Sequence, residues 1–210
     1  MKIELSPEGV ERCINESGIG FMFAQAFHPS MRHAGPVRRE IGIRTVFNIL
    51  GPLTNPAGAQ SMLVGVAFPE LSEQMAAVLN LLDTHHSIIV HGEGGLDEMT
   101  LSGDTSVWEV DGGKVSNWTL SVADTGLPVT PIAAVRGGDR AANAKTMREL
   151  LDGAGGPVRD YVLLNSAGVW LVGDLVSNVR DGVQMAAQAI DSGAAKDRME
   201  SMIEVSQAGS

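Results

Sequence analysis

The sequence is poor in cysteine, in aromatic residues and in basic residues. Cys13 is its only cysteine, so no disulfide bond can form within the chain, and we expect a cytoplasmic location. Aromatic residues make up 4% of the sequence, which disfavours a protein that stacks nucleic-acid bases on aromatic side chains. The 25 acidic residues outnumber the 15 basic ones, for a net charge of −10, whereas a nucleic-acid-binding protein needs a positive surface.

Long apolar runs are also absent. No run approaches the roughly 20 residues that are needed to cross a bilayer. The start of the chain, Met1–Pro7, has neither a long apolar stretch nor a small-residue cleavage site, so we expect no signal peptide. Apolar residues nevertheless make up 44% of the 210 residues, which is enough for a hydrophobic core. We therefore expect one globular α/β domain that spans residues 1–210.

Capping residues and apolar periodicity predict helices towards both ends of the chain. Ser6 and Pro7 predict the start of a helix that ends at Gly18, with Val10, Cys13 and Ile14 on one face. Further helical patterns cover residues 37–50, 139–151, 174–190 and 194–205, and residues 159–172 are compatible with a helix or a strand. Between these regions, Gly51–Pro56 is predicted as a rigid loop because two prolines and a glycine cannot continue a helix.

The middle of the chain predicts strands that alternate with a helix. Met62–Ala67 and Ser87–His91 have the pattern of buried strands, and Pro69–Leu82 that of an amphipathic helix between them. A strand, a helix and a strand of this length form a parallel βαβ unit. Short strands over residues 99–101, 106–110 and 115–120 should follow as an antiparallel excursion, with a hairpin turn at Asp111–Gly113. The sequence thus predicts an α/β fold with a mixed, mostly parallel sheet flanked by helices.

Two motifs before residue 57 combine proline with basic residues. His28–Met31 is followed by Pro36–Glu40, in which a helix would display Arg38. A guanidinium held by a helix can bind a carboxylate or a phosphate through paired hydrogen bonds, although such a run is also typical of a solvated helix surface. The second motif, Arg44–Pro56, is compatible with a purely structural role but is distinctive as a literal string.

Two glycine-rich motifs follow later in the chain. His91–Glu98 places three glycines and adjacent carboxylates after an apolar strand, where α/β proteins bind their ligands. Asp97 and Glu98 can hold Mg²⁺, which prefers oxygen ligands and often binds substrate phosphate at the same time. A solvated acidic turn is the alternative. Gly137–Ala144 predicts a helix start capped by Asp139, whose carboxylate occupies the place of a bound anion.

Together these motifs occur in the order and spacing of anthranilate phosphoribosyltransferases, which the chain resembles over nearly its whole length. The matching elements are Phe23-Ala24, His28-Pro29, Met31, Pro36–Glu40, Arg44–Pro56, His91-Gly92, Leu96–Glu98, Gly137–Asp139 and Asn143-Ala144. The resemblance implies the transfer of phosphoribose from phosphoribosyl pyrophosphate to the amine of anthranilate, in tryptophan biosynthesis. It also implies a fold similar to that of class II nucleoside phosphorylases, and usually a homodimer.

The resemblance further implies roles for five residues. Arg38 matches the arginine that binds the anthranilate carboxylate, and His28 and Pro52 match positions along the anthranilate entry path. Asp97 and Glu98 match the pair that binds Mg²⁺ beside the pyrophosphate of the donor. Mg²⁺ stabilises the negative charge that develops on the leaving pyrophosphate. Because an aryl amine is already a usable nucleophile, no residue is assigned as a general base.

The chain departs from the family pattern at several points. The family's Gly-Thr-Gly-Gly-Asp donor-binding loop, its Lys-His-Gly-Asn segment and its N-terminal helical domain have no counterpart in the 210 residues, so the resemblance covers the C-terminal portion. We therefore expect residues 1–210 by themselves to be inactive. Gln25 stands where proline is common, Gly94 stands where an acidic residue is common, and Asn165–Trp170 departs from a more alanine-rich run.

Two other functions are weighed against this one. The chain could be a relative of the nucleoside phosphorylases, although no motif points to a nucleobase. It could also be a noncatalytic relative that binds nucleic acid or a partner protein. The net charge of −10 and the presence of Arg38, Asp97 and Glu98 count against that second alternative.

Overall fold

The computed structural model describes residues 1–27 and 50–208, and it describes Leu50 and Pro52 by their backbone alone. The chain divides into two compact units. The terminal unit is Met1–Pro56 with Gly193–Ser210, and the central unit is Ala57–Ser192. Within the described ranges, no helix is long and apolar enough to span a membrane.

The described elements follow one another in the order helix, sheet, helix. They are α1 (Pro7–Ser17), α2 (Ala24–Phe27), α3 (Leu50–Leu53), β1 (Ser61–Gly65), a 3₁₀ turn (Pro69–Leu71), α4 (Ser72–Leu81), β2 (His86–Gly92), β3 (Thr105–Asp111), β4 (Lys114–Leu120), α5 (Val122–Thr125), a second 3₁₀ turn (Ile132–Val135), α6 (Arg140–Leu151), α7 (Pro157–Val172), α8 (Val179–Asp191) and α9 (Ala194–Gln207).

In the terminal unit, α1 begins and ends where its capping residues predict. The Ser6 hydroxyl accepts a hydrogen bond from the Gly9 N–H at 3.2 Å, and Gly18 ends the helix in the left-handed conformation. Residues of α1 and α9 form a buried cluster with Leu5; its members are Leu5, Val10, Cys13 and Met202. Ile14 is 42% exposed, so the apolar face of α1 is narrower than predicted.

The prediction of a loop over Gly51–Pro56 is wrong in its first half, because Leu50–Leu53 forms one helical turn. Pro52 is compatible with this turn, since the first residues of a helix need no backbone N–H donor. The helix ends at Leu53, and the N–H of the next residue, Thr54, donates to the Gly51 carbonyl at 3.3 Å.

The central unit is built on a four-stranded sheet with the strand order β1-β2-β3-β4. β1 and β2 are parallel and are joined through α4, which confirms the predicted βαβ unit. The mixed α/β class is likewise confirmed. The described sheet is less parallel than predicted, because the antiparallel excursion of β3 and β4 adds directly to the edge of β2 and makes two of the three pairings antiparallel.

The hairpin between β3 and β4 turns at the predicted residues. Asp111 pairs with Lys114, which leaves Gly112 and Gly113 as a two-residue turn. Both glycines have positive φ angles, of 53° and 84°. Two-residue turns with positive φ at both positions match the right-handed twist of the strands, and glycine adopts them without strain.

Helices α4 and α7 both pack against the sheet. β2 is almost entirely buried, as expected for a strand covered on both faces. The buried face of α4 includes Met75, Ala76 and Leu79, whereas Val78 and Leu82 of the predicted apolar stripe are exposed. The buried face of α4 therefore overlaps only partly with the predicted apolar stripe.

Two further predictions are corrected in the central unit. Residues 99–101 are buried but form no strand, because the N–H groups of Met99 and Thr100 donate to the side chains of Asn165 and Thr105. Helix α8 begins at Val179 rather than at Asp174, since the Asn178 side chain caps it by accepting from the Asp181 N–H at 2.9 Å. Residues 159–172, which the sequence left open between helix and strand, are helical and belong to α7 (Pro157–Val172).

Candidate functional site

The candidate site lies in the loop Gly92–Met99, which leaves the carboxyl end of β2 beside the carboxyl end of the parallel strand β1. The start of the loop closes on itself. The Gly92 N–H donates to the Leu96 carbonyl at 2.8 Å, and the Leu96 N–H donates back at 3.1 Å. Because the loop turns back at Leu96, Asp97 and Glu98 return over the ends of the two strands. This is the edge at which α/β proteins place their ligands.

Two glycines allow the loop to approach the strands closely. A Cβ atom on Gly65, the last residue of β1, would overlap the carbonyl group of Asp97. A Cβ atom on Gly92 would lie 2.6 Å from the carbonyl oxygen of Glu98. Any larger residue at either position would push the backbone of 97–98 away from the sheet.

Asp97 and Glu98 lie together on one wall of a cavity of about 890 Å³ in the central unit. The cavity is lined by apolar residues of the sheet, by the 3₁₀ turn Ile132–Val135 and by helix α7. Arg136 is the one basic residue among the lining residues that the structure describes. The site therefore combines a largely apolar surface with two carboxylates and one guanidinium, which is typical of a small-molecule site.

The two carboxylates repel each other. Burial raises the pKa of Glu98 above its ordinary value, and the negative charge of Asp97 raises it further. A cation bound at this pair would relieve the repulsion. Carboxylate oxygens are the donors that Mg²⁺ prefers, and Mg²⁺ often completes its shell with waters and substrate phosphate. The described residues contain no group of three or more His, Cys, Asp or Glu side chains that could hold a metal. Among the described residues, a cation at this position would thus have two carboxylate ligands, those of Asp97 and Glu98. Two protein ligands suit a Mg²⁺ ion that also binds the phosphate of a ligand.

The structure brings together two of the five predicted site residues. Asp97 and Glu98 line the same cavity. His28 and Arg38 lie outside the described residues, and Pro52 is described only as part of the backbone of α3. The roles of His28, Arg38 and Pro52 therefore stay predictions.

The Gly137–Ala144 motif is a capped helix start, as the structural interpretation predicts. The Asp139 carboxylate accepts a hydrogen bond from the Ala142 N–H at 2.8 Å. The Asn143 side chain bonds both backbone groups of Gly138, at 2.8 Å and 3.2 Å. The N–H groups of Gly138 and Ala142 are thus bound by side chains of the motif itself, which is the arrangement of a capped helix start.

The opposite end of β2 holds a cluster of charged residues that the sequence does not predict. The two ring nitrogens of His86 each lie 2.9 Å from a carboxylate, one of Asp174 and one of Glu109. His85 bonds the second oxygen of Asp174 at 2.7 Å, and the Trp118 indole N–H donates to Glu109 at 2.7 Å. We name these five side chains the His86 cluster. Its members come from β2 and the residue before it, from β3, from β4 and from the segment after α7, so no local pattern reveals it.

Comparison with known proteins agrees with this architecture. The sequence model of the glycosyl transferase family, a/b domain, matches residues 1–196. Because this match covers nearly the whole sequence, the chain belongs to that family.

Individual relatives sharpen the assignment. An anthranilate phosphoribosyltransferase from Chloroflexus aurantiacus is 53% identical over 209 residues, which are 99% of this chain and 62% of the relative. The crystal structure of the anthranilate phosphoribosyltransferase from Thermus thermophilus superposes with a TM-score of 0.92 at 39% identity, over 99% of this chain and 61% of that one. The resemblance inferred from the motifs is thereby confirmed. The chain spans about three fifths of the length of the curated relatives it matches.

Structures of the Saccharomyces cerevisiae enzyme carry relevant ligands. One is in complex with 4-fluoroanthranilate (TM-score 0.89), and another is in complex with PRPP and Mg (TM-score 0.90). Both yeast structures are 28% identical to this chain. Each match covers 98% of this chain, and it covers 60% of the yeast chain in the first structure and 59% in the second.

Proposed function

We propose that the protein that contains this chain transfers phosphoribose from phosphoribosyl pyrophosphate to the amine of anthranilate and releases pyrophosphate. One observation carries the proposal. A chain that is 53% identical to an anthranilate phosphoribosyltransferase presents an adjacent carboxylate pair on a cavity at the carboxyl ends of its parallel strands. Tryptophan biosynthesis, a cytoplasmic location and a homodimer of the full-length protein belong to the same proposal, as does a single α/β domain over residues 1–210. No described feature favours the nucleoside phosphorylase or the nucleic-acid-binding alternative.

In this proposal Asp97 and Glu98 hold Mg²⁺ beside the pyrophosphate of the donor. When bound there, the ion stabilises the negative charge that develops on the leaving group. The carboxylates contribute by fixing the position of that positive charge relative to the strand ends. Two carboxylates and waters bind Mg²⁺ weakly without substrate oxygens, so the site should fill together with the donor. The Mg in the yeast enzyme with PRPP supports this assignment.

The acceptor binds, in the same proposal, through Arg38, with His28 and Pro52 along its path. A guanidinium matches the planar geometry of a carboxylate and can donate two parallel hydrogen bonds to it. The complex of the yeast enzyme with 4-fluoroanthranilate, an analogue of anthranilate, supports anthranilate as the acceptor. The inactivity of residues 1–210 by themselves also stays a prediction.

A fluorescence assay tests the proposed reaction. The protein is produced in the longest form that its gene encodes and is mixed with phosphoribosyl pyrophosphate, anthranilate and Mg²⁺. We expect anthranilate fluorescence to fall with time, and to stay constant when Mg²⁺ is chelated. Phosphorolysis of nucleosides in a parallel assay, without any loss of anthranilate, would instead support the nucleoside phosphorylase alternative.

Substitution of Arg38 tests the acceptor site. Lysine keeps the positive charge but cannot donate two parallel hydrogen bonds, so Arg38→Lys should weaken anthranilate binding by about 1–3 kcal/mol. Steady-state kinetics should show a raised KM for anthranilate and a nearly unchanged KM for the donor. Arg39→Lys, the same change at the next residue, is the matched control. An equal KM for anthranilate in both variants would assign Arg38 to a solvated surface.

A further inference from the structure

We propose that Asn165 is a positioning residue for the Asp97–Glu98 pair, because it holds the backbone of the residue that follows the pair. The inference rests on the proposed function, since it deepens the magnesium site described above. Asn165 lies in α7, 66 residues from Met99 along the sequence, and it lines the same cavity as the two carboxylates.

The Asn165 side chain bonds both backbone groups of Met99. Its Oδ1 accepts from the Met99 N–H at 2.9 Å, and its Nδ2 donates to the Met99 carbonyl at 3.1 Å. The Nδ2 group also donates to the Tyr161 carbonyl, one turn earlier in α7, at 3.1 Å. The third bond fixes the plane of the amide, so that the first two fix both the position and the direction of the Met99 backbone.

Helix α7 also receives the side chain of Met99. A Cβ atom on Gly168 would overlap the Met99 Cε atom, and Met99 is 2% exposed. Gly168 lies three residues after Asn165, on the same face of the helix. The helix thus binds the backbone of Met99 through one residue and its side chain through the next turn.

Two close approaches to glycines and one pair of hydrogen bonds from Asn165 therefore position the segment Asp97–Met99. Gly65 and Gly92 admit the carbonyl groups of Asp97 and Glu98 close to the strand ends, and Asn165 holds Met99. A metal site with two protein carboxylates has few ligands of its own to define its geometry. The directions of the carboxylates depend instead on the backbone that carries them. Groups that orient metal ligands in this way typically change metal affinity by about 10–100-fold when they are substituted.

Binding of Mn²⁺ in the presence of pyrophosphate tests the role of Asn165 without any need for turnover. Free Mn²⁺ is measured by electron paramagnetic resonance for the wild type, for Asn165→Ala and for the Asp97→Asn/Glu98→Gln double variant. Asp160→Asn is the control, because Asp160 lies in α7 but outside the lining of the cavity. The thermal midpoint of each protein is recorded alongside.

We expect Asn165→Ala to weaken Mn²⁺ binding by about tenfold, Asp160→Asn to leave it unchanged, and the double variant to abolish it. Wild-type affinity in Asn165→Ala, with binding lost in the double variant, would overturn the positioning role and leave the metal site standing. Equal weakening in Asp160→Asn would also overturn it, since any change in α7 would then suffice. Wild-type affinity in the double variant would remove the metal site itself, and the role of Asn165 with it.

A loss of cooperative unfolding in Asn165→Ala would call for a second variant. Asn165→Gln keeps the amide group but moves it by one methylene, so it should also misplace Met99 and weaken Mn²⁺ binding. Wild-type affinity in Asn165→Gln at an unchanged thermal midpoint would count against the proposal in the same way.

Discussion

The two ends of β2 carry their charges in opposite ways. At the start of the strand, His86 lies between the carboxylates of Glu109 and Asp174, and its side chain is 7% exposed. At the end of the strand, the loop turns back and leaves Asp97 and Glu98 next to each other in the lining of a cavity. The first arrangement pairs its charges within the protein, whereas the second places two like charges next to each other, where we propose that Mg²⁺ binds.

The pKa values reflect this difference. Burial by itself lowers the pKa of His86, but hydrogen bonds and charge interactions with Glu109 and Asp174 outweigh burial and raise it. At the other end, burial and the charge of Asp97 both raise the pKa of Glu98, so both effects oppose its ionised form. Groups whose charged forms are left uncompensated are typical of functional sites, and compensated groups contribute to stability. Three experiments can test this comparison.

The largest effect is expected for the uncompensated pair. Asp97→Asn with Glu98→Gln removes both charges and should lower kcat at least about a hundredfold, since Mg²⁺ contributes several kcal/mol to transition-state stabilisation. The free energy of unfolding, measured with urea, should not fall, because two like charges are removed. Glu93→Gln, an exposed acidic residue of the same loop, is the control and should keep its activity. Wild-type turnover in the double variant would refute the assignment.

Substitution in the His86 cluster should lower the stability of the protein rather than its activity. His86→Ala leaves two carboxylates facing each other without their shared donor and should lower the free energy of unfolding by about 1–3 kcal/mol. His85→Ala is the matched control, because that side chain is 60% exposed and its ion pair should contribute only about 0–1 kcal/mol. Urea denaturation of the two variants gives the comparison. An equal loss of unfolding free energy in both variants would show that the burial of His86 does not make its contribution to stability larger than that of His85.

The smallest effect is a dependence of stability on pH. The pKa of folded His86 lies above its ordinary value of 6.5. Its stabilising charge is therefore fully present below that value and is lost as the pH rises through the folded pKa. The pKa of Asp174 is lowered by hydrogen bonds from His86 and His85, so its contribution is lost only at acidic pH.

The pH effect is measured against the His86→Gln variant, because the glutamine amide can form hydrogen bonds but carries no charge. The stability difference between the wild type and this variant, followed by urea denaturation between about pH 5 and pH 8, should shrink as the pH rises above 6.5. A difference that stays constant over this range would mean that His86 acts only as a neutral hydrogen-bonding group.

Local patterns predicted a large share of this structure. The caps of α1 and α6, the parallel unit of β1 and β2, and the turn at Gly112–Gly113 depend on neighbouring residues, and the structure confirms them. The position of Asp97 and Glu98 followed from the rule that ligands bind past the carboxyl ends of parallel strands. These features could be predicted because capping, alternation and turn chemistry act over a few residues.

The sequence by itself thus determined most of the strands and helices, and it determined that the carboxylate pair follows β2. Only the tertiary structure decided what surrounds them. His86 meets Asp174 across 88 residues and Glu109 across 23, and Asn165 meets Met99 across 66. The strand predicted at residues 99–101 failed for the same reason, because side chains from other elements satisfy backbone groups that a strand would otherwise pair. Hydrogen bonds between distant residues leave no periodic signal in a sequence, since they depend on how the elements pack.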